Sequence, residues 1–333
     1  MFSSHFRIAA FSTALRVALL AIGLAWLAPA HATPGQPGTL DASFATLSPI
    51  GAGKLILPAI GSSNLDFVNA LVAQPDGKLV LAGYCQNPAR NFCAVRLNPD
   101  GSLDTGFNAT GKVILPVGSG DVATALALQR DGKLVLGGAC VSNFNLDFCV
   151  VRLNPDGSLD TSFNTTGKLI LPVGSNSDQL TALAVQSDGK IVLAGYCNTG
   201  SGTSDLFCAV RLNADGSLDT GFNATGKLIL PVAVGSGGAQ ATALALQSDG
   251  KIILAGTCWN SSSDDFCAVR LDANGGLDTS FGVSGKLRQP VGSSADQALA
   301  LAVQPDGKLV LAGTCFNGAT YDFRGTAPCE WRP

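Results

Sequence analysis

The sequence predicts an all-β protein of tandem four-stranded antiparallel units, arranged as a five-bladed β-propeller with an incomplete last blade. Three observations predict it. A short motif returns five times at a blade-sized spacing, each copy holds four short apolar runs, and an Asp-Gly turn joins two of those runs in each copy.

The motif Gln-x-Asp-Gly-Lys begins at Gln74, Gln129, Gln186, Gln247 and Gln304. A second marker, Leu-Asp-x-x-Phe, begins at Leu40, Leu103, Leu159, Leu218 and Leu277. Successive copies lie 55 to 63 residues apart, the size of a propeller blade or a solenoid unit. In the second copy, Lys112 to Val117 reads as strand a and Val122 to Gln129 as strand b. Lys133 to Cys140 follows as strand c, and Phe148 to Leu153 as strand d. Each run is rich in Val, Leu and Ile and is bounded by Gly, Asn, Asp or Ser. Asp-Gly between b and c marks a tight hairpin, because glycine accepts the positive φ that such a turn requires. Hairpins imply antiparallel pairing. The alternative, a parallel solenoid or open stack of sheets, would need shorter coils and would lack these hairpins.

Residues 1–32 read as a signal peptide. Arg7 and Arg16 supply positive charge, Val17 to Leu27 is an apolar run, and Ala30-His31-Ala32 is a small-x-small cleavage site. The run is short for a membrane span. Cleavage near Ala32 would leave residues 33–315 as one repeat domain and 316–333 as an off-pattern tail, in a protein that is secreted, periplasmic or on the cell surface. Both histidines, His5 and His31, would go with the leader. So would two of the 21 basic residues, leaving 19 against 24 acidic ones, a net charge of about −5 that favours neither nucleic acid nor an anionic membrane.

The five recurring motifs resemble the delta-60 repeat proteins of bacteria. The third copy shows it through Leu159-Asp160-Thr161-Ser162-Phe163, Gly167-Lys168, Gln186 to Lys190 and Arg211-Leu212-Asn213-Ala214-Asp215-Gly216. The resemblance runs from Leu40 to Gly313 and implies an exported bacterial protein of unassigned activity. Two departures stand out. Asn108, Asn164 and Asn223 replace the glycine that usually follows the motif's Phe, and each copy carries a cysteine pair that the pattern does not require.

The ten cysteines form one pair per copy: Cys85/Cys93, Cys140/Cys149, Cys197/Cys208, Cys258/Cys267 and Cys315/Cys329. In the first four, one cysteine ends strand c and its partner is near the start of strand d, on the same face of the hairpin. In an oxidising compartment these are expected to be disulfides. Zinc is the rival, disfavoured by the missing histidines and the wide spacings. No Cys-x-x-Cys supports redox catalysis. The fifth pair sits differently, because the Cys-Ala-Val-Arg-Leu expected after Phe323 is missing, so blade five is expected to lack strand d and leave an open edge.

The turn after strand d echoes an acidic calcium loop. Its first ligand position, however, holds Arg96, Arg152, Arg211 and Arg270, which are expected to pair with the turn's own aspartates: Asp100 and Asp104, Asp156 and Asp160, Asp215 and Asp219, and Asp278. No cofactor or metal is therefore expected, with calcium the weighed exception. Residues shared by all copies serve folding, so recognition is expected where the copies differ. That places candidate binding loops at the end carrying Asp121, Asp178 and Asp296 with Asp147, Asp205, Asp264 and Asp265, an end expected to be acidic and to expose Phe144 and Trp259 as anchors. A solvated polar rim is the plainer reading. The expectation is a non-enzymatic binding or scaffold protein for an unknown protein or glycan partner. Self-association through the last blade is the alternative, and an enzyme, lacking histidine, ranks third.

Overall fold

The computed structural model describes residues 40–41, 43–46, 53–62, 65–200, 204–232 and 237–326. The expected leader and Cys329 lie outside them. Among the described residues, nineteen strands form five antiparallel sheets and no helix is present. Blade one is β1 (Asp66–Ala73), β2 (Leu79–Asn87), β3 (Ala89–Leu97) and β4 (Lys112–Leu115). Blade two is β5 (Ser119–Leu128), β6 (Leu134–Ser142), β7 (Asn145–Leu153) and β8 (Lys168–Leu171). Blade three is β9 (Asp178–Val185), β10 (Ile191–Cys197), β11 (Leu206–Leu212) and β12 (Lys227–Leu230). Blade four is β13 (Ala239–Leu246), β14 (Ile252–Trp259), β15 (Asp264–Leu271) and β16 (Lys286–Gln289). Blade five is β17 (Asp296–Val303), β18 (Leu309–Phe316) and β19 (Tyr321–Thr326).

The blade is offset from the sequence repeat. Strand a of each copy is not the first strand of its own blade but the outermost strand of the blade before, so each sheet runs b, c, d and then the next copy's a. The strand d expected to be missing from blade five is present as β19, and among the described residues that sheet has no outermost strand.

The core lies between blades. Both faces of the middle strands are covered, which is why β7 reads as a nearly continuous apolar run with Phe148 through Leu153 all buried. Ala70, Val80 and Phe92 of blade one meet Ala123, Leu126 and Leu134 of blade two, and similar clusters join two to three, three to four and four to five. Each fully buried Phe, such as Phe92 or Phe148, contributes about 2–3 kcal/mol of transfer free energy. Among the described residues no such cluster joins blade five to blade one.

Every innermost strand carries a bulge, seen as a register shift at Asn69, Thr124, Thr181, Thr242 and Leu299. The opposing strand has glycine there. A Cβ on Gly195 would lie 1.9 Å from the Gln179 carbonyl oxygen, so no larger residue fits. The bulge aims its residue at the next blade. Asn69 Nδ2 donates to the Ala123 carbonyl (2.8 Å), Thr124 Oγ1 to Leu180 (2.7 Å), Thr181 Oγ1 to Ala241 (2.7 Å) and Thr242 Oγ1 to Ala298 (2.6 Å). These four bonds clasp the blades near the axis.

Candidate functional site

The five innermost strands enclose an axial channel of about 80 Å³ lined by Thr124, Thr181, Thr242 and alanine and leucine side chains. So small a channel leaves the ends of the ring as the places with room for a sugar or peptide.

At one end the Gln-x-Asp-Gly-Lys turn meets the turn after strand d. Arg152 Nε donates to Asp160 Oδ2 at 2.6 Å, and Lys133 Nζ lies 3.0 Å from the same oxygen. Arg152 also donates from Nη1 to the Ala214 carbonyl of blade three, and its guanidinium stacks 4.8 Å from the centre of the Phe163 ring. Blades one, three and four repeat the pattern with Arg96–Asp104 (2.6 Å), Arg211–Asp219 (2.6 Å) and Arg270–Asp278 (2.8 Å), joined by Lys78, Lys190 and Lys251. The arginines bond the second aspartate of each turn. The first is exposed and turns inward on its own loop: Asp100, Asp156 and Asp215 each accept from the backbone N–H of the serine two residues on. The motif's lysine and the ring under the guanidinium are partners that the sequence reading missed. The signal was present, since Lys and Phe recur in step with Arg and Asp in four blades.

Burial works to raise the Asp160 carboxyl, but hydrogen bonds from Ser162 and Lys133 and the Arg152 charge outweigh it and hold the group well below the ordinary carboxylate range. The Lys190 hydrogen bond does the same for Asp219, despite burial. Positive charge thus occupies the place a cation would need. Among the described residues no cluster of three metal-ligating side chains occurs.

The variable end departs from expectation. Asp121, Asp178 and Asp296 are fully buried and accept backbone N–H groups from the links between blades: Val117 and Gly118, Val173 and Gly174, Val291 and Gly292. Asp147 and Asp265 are buried too, the latter accepting from Asn260 Nδ2 at 2.7 Å. Burial pushes the Asp121, Asp147, Asp178 and Asp264 carboxyls up, and the neighbouring Asp265 adds to the rise at Asp264. The acidic surface expected here is therefore corrected. A carboxylate that follows a short loop is drawn in to satisfy the loop's backbone donors, leaving only Asp205 and Asp264 half-buried among the seven candidate aspartates.

The aromatic pair divides. Trp259 is half-buried, its ring packed on Gly237 and its backbone N–H donating to the Gly238 carbonyl at 3.0 Å. Phe144 stands fully exposed at the tip of the β6–β7 hairpin, where Asn143 and Phe144 both take left-handed backbone, φ 48° and 69°. Blade one adds an aromatic pair, at positions different from those of the Phe316–Tyr321 pair of blade five. Phe67 stacks on Tyr84 with ring centres 4.8 Å apart, and Arg90 covers Tyr84 at 5.2 Å.

The structure pairs Cys85 with Cys93, Cys140 with Cys149, Cys197 with Cys208 and Cys258 with Cys267, across Cα separations of 5.8 to 6.0 Å. Each bridge ties strands c and d of one blade near the variable end. Four disulfides fit an exported protein, and no described helix is long and apolar enough to cross a membrane. Cys315 is buried beside Asp322, and its expected partner Cys329 lies outside the described residues.

This architecture defines a β-propeller of tandem repeats. Residues 74–107, 129–163, 186–222 and 247–281 each match the family described as a domain of unknown function (DUF5122) beta-propeller, so the repeats are those of a propeller-repeat family. No curated protein matches the chain. Among solved structures, an endo-arabinase from Bacteroides thetaiotaomicron is 12% identical with a TM-score of 0.41, covering 82% of this chain and 98% of its own. A mannose phosphorylase from Leishmania mexicana in complex with phosphate is 12% identical with a TM-score of 0.38, over 74% of this chain and 78% of its own. Sqt1 from Chaetomium thermophilum, bound to the N-terminus of the ribosomal protein L10, is 14% identical with a TM-score of 0.38, over 75% and 70%. At such identities the likeness shows the fold alone. It corrects the expectation that the chain is not an enzyme, because solved structures of this fold include enzymes. The argument from missing histidine also weakens, since glycoside hydrolysis runs on carboxylate pairs.

Proposed function

We propose that the chain is an exported protein of the delta-60 repeat type that recognises a glycan or protein through the ring end carrying the loops between strands c and d. The observation that supports this is Phe144. A fully exposed phenyl ring in left-handed backbone serves no packing in the fold, and an exposed aromatic beside Asn143 and Asn145 suits a sugar face or a partner's apolar pocket. The repeat-wide residues are committed elsewhere: Arg, Lys and second Asp to one another, buried Asp to the links, cysteines to staples. Recognition then falls to features found once, Phe144 and the loops around Trp259.

The test is a glycan array and an immobilised-protein screen with the oxidised protein and with Phe144→Ser, which removes no contact of the fold. Bound glycans are recovered and sized, so that turnover is read in the same experiment. A ligand lost or weakened at least about tenfold by Phe144→Ser supports the proposal. A ligand bound equally by both proteins, and lost instead on changing Arg130, the second residue of the Gln-x-Asp-Gly-Lys turn of blade two at the opposite end, would overturn it.

A further inference from the structure

We propose, resting on the reading of the c–d end as the binding surface, that its ligand is a neutral polysaccharide. Sugar faces lie on aromatic side chains of several blades, and hydroxyls meet the uncharged loops between them.

Every hairpin between strands c and d carries an aromatic: Tyr84 in blade one, Phe144 in blade two, Tyr196 in blade three and Trp259 in blade four. Blade five carries Phe316 and Tyr321. The repeat does not dictate these residues. Tyr84 and Tyr196 precede the strand c cysteine, where the other copies hold Ala139, Thr257 and Thr314. Trp259 and Phe316 follow that cysteine, where the others hold Gln86, Val141 and Asn198. Phe144 sits at a hairpin tip, and Tyr321 opens strand d opposite Phe316. Different repeat positions thus bring an aromatic to the same end of each blade. A packing requirement fixes one position in successive copies instead, as it does for Phe92, Phe148, Phe207 and Phe266, all fully buried. None of the hairpin aromatics is fully buried, and Tyr321 is 62% exposed.

Charge is withdrawn from the same surface. On the c–d hairpins and the links between blades, Arg90 is the one fully exposed charged side chain among the described residues, and it lies over the Tyr84 ring. The half-buried carboxylates face neutral donors. Asp66 accepts from Ile60 N (2.6 Å), Asp205 from Gln240 Nε2 (2.8 Å) and Asp322 from Asn317 Nδ2 (2.6 Å). The exposed polar side chains left on the hairpins are amides and hydroxyls, such as Asn87, Asn143, Ser261 and Asn317.

This combination selects among ligand classes. An acidic glycan calls for arginines or lysines to pair its carboxylates or sulfates, and one exposed arginine serves the whole end. A protein interface has a contiguous apolar core, whereas these aromatics stand on separate blades with polar loops between them. A sugar ring offers an apolar C–H face to an aromatic and a rim of hydroxyls that donate and accept, as amides and hydroxyls do. Aromatics distributed over several blades suit a polymer, which gains from each contact, better than a single sugar.

Affinity electrophoresis of the oxidised full chain, backed by a glycan array, tests this. Galactomannan, dextran and a soluble β-glucan are the neutral probes; polygalacturonate and alginate are the acidic ones. A neutral polymer should bind, with affinity changing less than about twofold between about 20 and 500 mM salt, because no charged pair is made. Phe144→Ser and Tyr321→Ser should each weaken it at least about fivefold, and Arg90→Gln should leave it unchanged. The corresponding monosaccharide should bind at least about tenfold more weakly than the polymer. A ligand that is acidic or a protein, still lost in Phe144→Ser, would overturn this inference and leave the reading of the end standing. A neutral polymer held equally by Phe144→Ser and Tyr321→Ser would overturn both. Failure to bind any neutral polymer or array glycan, affinity that falls steeply with salt, or loss in Arg90→Gln would each overturn the inference as well.

Discussion

The two aspartates of each turn look alike in sequence and should differ sharply in what they contribute. Asp160 is 5% exposed and accepts from Arg152 (2.6 Å), Ser162 Oγ (2.7 Å) and Ser162 N (3.1 Å), with Lys133 Nζ at 3.0 Å. Asp156, four residues earlier, is exposed and caps only its own turn through Ser158. Asp160→Ala leaves the Arg152 guanidinium buried without its counter-ion, a situation that costs about 3–5 kcal/mol. The Ala214 carbonyl, Ser162 Oγ and the Phe163 ring still face the guanidinium and offset part of this, so the lower half of that range is the expectation. Asp156→Ala removes a hydrogen bond in water and should cost about 0.5–1 kcal/mol. At roughly 2–4 °C per kcal/mol for a chain of this size, Asp160→Ala should lower Tm by about 6–16 °C and Asp156→Ala by about 1–4 °C. Pairing Asp160→Asn with Arg152→Met should recover much of the loss, since the buried charge leaves with its partner. Urea melts of the three variants decide it. Equal losses at the two aspartates, or a double variant as damaged as the sum of its parts, would refute the reasoning.

Other consequences follow from the same contacts. Asp160 and Asp219 titrate below the ordinary carboxylate range, so the stability they add is full above the unfolded value near pH 4 and is lost as pH falls below it. Asp121 and Asp178 titrate above that range, so protonating them relieves a penalty as pH falls toward 4. Tm measured from pH 7 to pH 3 should hold or rise slightly to about pH 4.5 and then drop; Asp160→Asn should flatten the drop and Asp178→Asn the rise. Each disulfide spans 8 to 11 residues and should contribute at most about 3 kcal/mol by restricting the unfolded chain, which Cys197→Ser/Cys208→Ser measures against the oxidised protein. Gly195→Ala forces a Cβ to 1.9 Å from the Gln179 carbonyl and should cost more than about 3 kcal/mol, whereas Gly307→Ala, with open space around it but φ at +82°, should cost about 1–2 kcal/mol by the same denaturation assay.

What the sequence disclosed, and what it hid, follows from how far each interaction reaches along the chain. Hairpins between neighbouring strands are local, so the Asp-Gly turns and the cysteine spacing made strands b, c and d legible. The fourth strand was assigned to the wrong sheet because strand a pairs backwards across the long turn, Lys112 with Val95, and nothing local in Lys112–Leu115 says which sheet it joins. The lysine of Gln-x-Asp-Gly-Lys meets Asp104 from a turn some twenty-five residues away, a contact that exists only once the blade is formed. Likewise Asp121, Asp178 and Asp296 read as surface acids because sequence shows charge and not the backbone donors that Val117, Val173 and Val291 present to them. Phe144, by contrast, was legible as a candidate because it breaks the repeat.

That contrast bears on where function resides. Four blades spend the same Arg, Lys, Asp and Phe on one ion-paired turn at one end, and three spend a buried Asp on the link at the other. A residue required by every blade cannot be tuned for a ligand without loss to folding. The positions released from that duty are those where one copy differs: Phe144 in blade two, the Phe67–Tyr84 stack with Arg90 in blade one, and Trp259 in blade four. They lie on three blades at the end where the disulfides tie strands c and d. Rigid strands there hold loops that are free to vary, the arrangement by which a scaffold acquires a binding surface without altering its core. A ligand long enough to touch more than one of these blades would gain affinity from each. Substitutions at Phe144 and at Trp259 should then weaken binding by amounts that multiply, while a ligand confined to one loop would respond to one substitution alone.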